Sequence, residues 1–174
     1  ESVSIAAIEY NDESRTARFA VQDGLRAGTN YQVVIAGAVG GALRQGDYSW
    51  TFITAIPRLV EVTPDSGAVA VAIDLPEATV QFSTEIDADQ VVVGNFVLLR
   101  DGEAVILRDG DPVNRGGGLY SLAPAAGWQV GSTYAVQVSP SVTGPLGTSQ
   151  AISWQFRTAV PATVELNPAS GDTQ

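Results

Sequence analysis

Apolar and polar residues alternate one by one through much of the chain. Tyr134, Val136 and Val138 fall on one side of an extended segment, and Ala135 and Gln137 on the other. Ile152, Trp154, Phe156 and Thr158 make a second apolar face, opposed by Ser153, Gln155 and Arg157. Ala78, Val80, Phe82 and Thr84 alternate with Thr79, Gln81 and Ser83 in the same way. A period of two is that of a half-buried strand. Residues 95–100 and 104–108 are further apolar runs, separated by Asp101-Gly102, a hairpin signal. Helical periodicity is lacking, apart from a single turn expected around Asp87–Gln90. Turn residues recur about every ten positions, as in PDSG, RDGDP, NRGGG and SPSVTGPLG. Short strands with such punctuation predict an all-β, antiparallel sandwich.

The pattern is also written twice. Tyr31 and Tyr134 stand 134 − 31 = 103 residues apart, as do Gly28 and Gly131, Val33 and Val136, and Leu43 and Leu146. One inserted residue then moves the offset to 104 for Trp50 and Trp154, Phe52 and Phe156, Thr54 and Thr158, and Pro57 and Pro161. Tandem repeats of period about 104 residues are too long for a solenoid unit and match one immunoglobulin-like β-sandwich. The phase predicts a complete module over 56–159, expected to hold seven strands. Its expected core includes Val80, Phe82, Phe96, Tyr134, Val136, Trp154 and Phe156. Residues 1–55 read as the C-terminal part of an incomplete module, and 160–174 as the first strand of a following one. A start at Glu1 without Met fits an excerpt from a longer protein.

The complete unit resembles the bacterial Ig-like domains found in S-layer and other large surface proteins. The resemblance rests on VEVTPDSGAVAVAIDLPEATVQFSTEID, GNFVL, YAVQVSPSVTGPLG and WQFRT, in that order and spacing. Family members often carry an Asp and a Gly-Asn pair in the loop before the last strand, where this chain aligns Gly144 and Thr148. The resemblance implies a sandwich module on the cell surface or in a secreted protein, and it implies no enzyme activity.

Composition narrows the chemistry. Of 174 residues, 45% are hydrophobic, enough for a real core. Nineteen acids face nine basic residues, all Arg, for a net charge of −10. That balance repels nucleic acid and anionic membrane surfaces. No apolar run approaches the length of a membrane helix, so no membrane insertion is expected. With no His, Cys or Lys, the Ser–His and Cys–His nucleophilic systems and Schiff bases cannot form. Paired carboxylates remain, but none sits at an inward strand position where burial would raise its pKa. No enzyme is expected.

Trp50 and Trp154 could offer a carbohydrate platform, yet each shares a strand face with a Phe and recurs with the repeat, which favours core packing. Trp128 has Leu25 at the equivalent place and reads as rim packing. Tyr31 and Tyr134 begin a strand after a Gly-Thr or Gly-Ser pair, as in a tyrosine corner. Among the loop acids, Asp87 and Asp89 are the weak candidates for calcium, although no calcium-loop spacing is present. The stretch that aligns least between the copies, 103–122, holds Arg108, Asp109, Asp111 and Arg115 as a possible ligand loop. No cofactor is otherwise expected.

Two functions are consistent with these features. One is a structural spacer in a large extracellular bacterial surface or secreted protein, with neighbouring modules of the same array as partners. The other is a glycan- or protein-binding module of the adhesin type, using end loops of the sandwich. A further expectation is head-to-tail self-association, with the strand ATVELNPASG of one copy filling the incomplete module of the next.

Overall fold

The computed structural model describes residues 3–36, 46–148 and 150–161. Two hairpins come first: β1 (Ile5–Asn11) with β2 (Thr16–Val21), and β3 (Asn30–Ile35) with β4 (Tyr48–Ile53). The chain then forms β5 (Leu59–Thr63), β6 (Ala78–Phe82), β7 (Phe96–Arg100), β8 (Glu103–Ala104), β9 (Val113–Gly116), β10 (Leu119–Leu122), β11 (Thr133–Val138) and β12 (Ile152–Arg157). These eight build two antiparallel sheets, ordered β5-β6-β10-β9 and β12-β11-β7-β8. The expected donor strand within 162–174 lies outside the described residues.

Alternation decides which side chains meet between the sheets. Along β6 the pattern is buried at Ala78, Val80 and Phe82 and half-buried between them. Along β11 and β12 the buried positions are Tyr134, Val136, Val138, Trp154 and Phe156. All seven expected core residues are buried, and Leu98, Leu107, Tyr120 and Leu122 join them. Aromatic rings meet edge to face, Phe82 on Tyr120 with centroids 6.1 Å apart and Trp128 on Tyr134 at 4.7 Å.

Eight strands are present where seven were expected, and Asp101 and Gly102 close the expected hairpin with φ of 50° and 92°. That geometry suits the twist of a two-residue loop, and it pairs Arg100 with Glu103. The apolar run 104–108 is not one strand. Val105 N–H still donates to Leu98 O at 2.9 Å, whereas Arg108 N–H donates to Ala123 O at 2.8 Å. The run therefore crosses from one sheet to the other.

Residues 67–71 protect an edge in a way the alternation did not reveal. They run beside β12, where Val71 bridges Thr158 in parallel, Gly67 N–H donates to Gln155 O and Arg157 N–H donates to Ala68 O. An edge strand left bare would present unpaired backbone groups.

Positions paired at the offset of 103 or 104 agree at the level of single hydrogen bonds. Tyr134 OH accepts from Gln129 N–H at 2.9 Å, and Tyr31 OH accepts from Arg26 N–H at 2.8 Å. Thr158 Oγ1 accepts from Ser132 N–H and donates to Gln129 O, while Thr54 Oγ1 accepts from Thr29 N–H and donates to Arg26 O. Tyr134 stacks on Phe156, and Tyr31 on Phe52, each with centroids 5.7 Å apart. The copies differ in cover. Ile8, Tyr10, Phe19 and Tyr48 are exposed. No strands equivalent to β5–β8 stand opposite them among the described residues.

Candidate functional site

The possible ligand loop folds onto one carboxylate that sequence reasoning passed over. Arg108 Nη2 lies 2.8 Å from Glu77 Oε1, and Arg115 Nη2 pairs with the same oxygen. Arg115 Nε also donates to Ser121 Oγ at 3.0 Å, and Ser121 is buried. Partial burial of Glu77 opposes its ionisation. Hydrogen bonds from Ser121 and Arg115, with the charges of Arg115 and Arg108, outweigh it and hold the carboxyl below its ordinary pKa. Asp109 pairs loosely with Arg108 at 3.5 Å, and Asp111 Oδ1 accepts from Val93 N–H at 2.7 Å. Arg108 and Arg115 thus meet at Glu77, Asp109 touches Arg108 alone, and Asp111 turns away to hold the loop before β7. Glu77 sits beside Pro76 with no patterned neighbour, so nothing local marked it.

The two weak calcium candidates lie together at the end of the sandwich that meets residues 26–28. Tyr120 begins the placement, because its buried hydroxyl accepts from Ile86 N–H at 3.0 Å and fixes the loop after β6. Burial pushes the Tyr120 hydroxyl pKa up, against the lowering effect of that bond. One 3-10 turn, Ala88–Gln90, follows with Asp87 as its N-cap residue. Asn95 Nδ2 donates to Gln90 O at 3.0 Å and closes the loop.

Both carboxylates are engaged by residues 26 and 27. Asp87 Oδ1 accepts from Ala27 N–H at 2.9 Å, and Asp87 Oδ2 lies 3.4 Å from Arg26 Nε. Asp89 Oδ2 accepts from Arg26 Nη2 at 2.6 Å. The Asp89 pKa is lowered by the hydrogen bond from Arg26, and the Arg26 pKa is raised by the hydrogen bond to Asp89 and then by its charge. The Asp87 side chain is 20% exposed and that of Arg26 56%, so Asp87 is the more enclosed partner. Among the described residues no group of three or more carboxylates converges as a metal site would require.

Backbone meets backbone beside this ion pair. A 3-10 turn at Pro140–Thr143 ends at Gly144, whose φ is 75°. Leu146 N–H donates to Gly28 O at 3.0 Å. A Cβ on Gly28 would fall 2.5 Å from Thr143 O, and one on Gly144 would run into the Ala27 carbonyl. The covalent link is equally short: Thr54 closes its hydrogen bonds to residues 26–29, Gly28 N–H donates to Ala55 O, and β5 begins at Leu59. A cleft of about 310 Å³ lines this link with Ile56, Pro57, Leu59, Leu146 and Ile152.

The tryptophans serve packing. Trp128 is buried and its Nε1 donates to Leu75 O at 2.7 Å. Trp154 is buried between the sheets with no partner for its Nε1 among the described residues. Trp50 is half-buried against Phe19 and Tyr48.

A family model described as bacterial Ig-like domain matches residues 53–158, well over half of the chain. Similar solved structures include an enzyme and a surface-layer protein. An LD transpeptidase in complex with imipenem matches at 17% identity and a TM-score of 0.42, over 60% of this chain and 40% of that one. The N-terminal part of a bacterial S-layer protein matches at 19% identity and a TM-score of 0.40, over 62% of this chain and 24% of that one. The chain spans under half the length of either. No curated protein matches it.

Proposed function

The chain belongs to the bacterial Ig-like domain family, and from that premise we propose that it is a non-catalytic spacer in a large extracellular bacterial surface or secreted protein. Its units are tandem modules with boundaries at 55/56 and 159/160. The hydrogen bonds of Tyr31 and Thr54, repeated by Tyr134 and Thr158, support modules of one kind. The observation that carries the reading is the joint between residues 26–28 and the two loops at 87–89 and 143–147. A spacer must hold its ends apart at a set angle. A linker that passes from Thr54 to Leu59, flanked by backbone and charged contacts, does so by removing most of the freedom of a hinge.

Small-angle scattering of the protein tests this reading together with calorimetric titration of cell-wall saccharides. The spacer reading expects one fixed elongated particle and no saturable heat. Saturable binding that is lost in the R108A/R115A double variant would instead establish the adhesin-type reading.

A further inference from the structure

The joint carries charge on both sides, and the two copies differ at the residue that supplies it. Arg26 is the only member of the turn that reaches both Asp87 and Asp89. Gln129 stands at the equivalent place in the following unit, with the same backbone bond to its tyrosine. Its side chain cannot pair with a carboxylate as Arg26 does, and it folds back onto Ala126 O at 3.1 Å and Gly127 O at 3.3 Å. Gly28 is buried against Thr143 and Gly144.

We infer that the Asp87–Asp89 loop, floored by Gly144, is a socket that discriminates between upstream neighbours, favouring a unit that presents an arginine turn like Arg26–Gly28 over one that presents a turn like Gln129–Gly131. The inference rests on the spacer reading and names the partner of its joint. Asp87 and Asp89 both lie within reach of one cation. Arg supplies that cation with a planar fork able to touch both carboxylates, which neither Gln nor a backbone amide can do. Gly144 gives the turn room, since any side chain there meets the Ala27 carbonyl. The consequence is an order among modules. The 56–159 unit presents a Gln129 turn, which its own socket favours less than an arginine turn.

The chain has no Cys, so spin labels at Ser14→Cys and Glu103→Cys, both exposed, report the distance between units directly. The parent protein should show one narrow distance population. Arg26→Gln should add an open population, raising the open fraction about two- to fivefold, the range of an exposed ion pair. Asp87→Ala should raise it about tenfold, because the Ala27 amide also loses its acceptor. Salt at 1 M should move the parent towards Arg26→Gln and leave that variant unchanged. Identical distributions for the parent and Arg26→Gln would overturn the discrimination while leaving the spacer reading in place. A broad distribution in the parent itself would overturn the spacer reading and the inference with it.

Discussion

Gly28 and Gly144 meet backbone to backbone across the joint: Leu146 N–H, two residues beyond Gly144, donates to Gly28 O at 3.0 Å, and neither glycine has room for a methyl group. Gly28→Ala should therefore open the joint. Gly131→Ala is the internal control, because Gly131 has a similar φ, 64° against 56°, but among the described residues meets only a flexible Val160 methyl. Both variants carry the same backbone strain, of about 1 kcal/mol. Only Gly28→Ala should also broaden the distance between the labelled units. Equal effects of the two variants would mean that the close approach is not maintained.

Core cover differs between the copies, and stability should follow it. Phe156→Ala removes a fully buried ring and should cost about 3–5 kcal/mol in denaturant melts. Phe52→Ala, at the equivalent but half-buried place, should cost under about half of that. Equal losses would show that the face of β3 and β4 is covered in solution.

Glu77 predicts a pH dependence. Its folded pKa lies below the ordinary value of 4.5. Its pairs with Arg108 and Arg115 therefore contribute stability that is fully present above about pH 4.5 and is lost as pH falls through the folded value. Glu77→Gln should lower stability by about 1 kcal/mol at neutral pH. The gap between parent and variant should close as melts are taken from pH 5 to pH 3. A gap that stays constant over that range would remove the ionised Glu77 from the account.

Calcium should leave the protein unchanged. The Asp87 and Asp89 oxygens that would coordinate it already accept from Ala27 N–H and Arg26. Chelator or millimolar calcium should shift melting by no more than about one degree, since only ligand bound to the native state raises stability. A rise of several degrees would show an ion competing successfully with Arg26.

How far the sequence foretold the molecule depends on the range of the signal. Val80, Phe82, Tyr134, Val136, Trp154 and Phe156 were legible because strand periodicity is local and each lies in an unbroken alternation. The tyrosine corners were legible because Tyr31 and Tyr134 repeat with their glycines. The edge cover by residues 67–71 was not legible, since GAVAV has no alternation and its partner β12 lies more than eighty residues on. The joint was hidden for a related reason. Asp87 and Asp89 drew attention as a pair of acids, but Arg26 stands some sixty residues before them, and only the chain's path brings the charges together. One signal was available in retrospect: Arg26 and Gln129 occupy the same place in the repeat and differ in charge. The arginines at 108 and 115 were noted, while Glu77, which gathers them, lies across the sheet on the approach to β6.

The end-to-end joint is most directly tested by hydrogen exchange at three amides followed by NMR. Ala27 donates across the joint to Asp87 and Leu146 donates to Gly28, whereas Val130, the repeat equivalent of Ala27, has no acceptor among the described residues. In a closed joint Ala27 and Leu146 exchange at least about tenfold more slowly than Val130 after correction for local sequence. Exchange of Ala27 and Leu146 as fast as Val130 would show that the two units are not held together in solution.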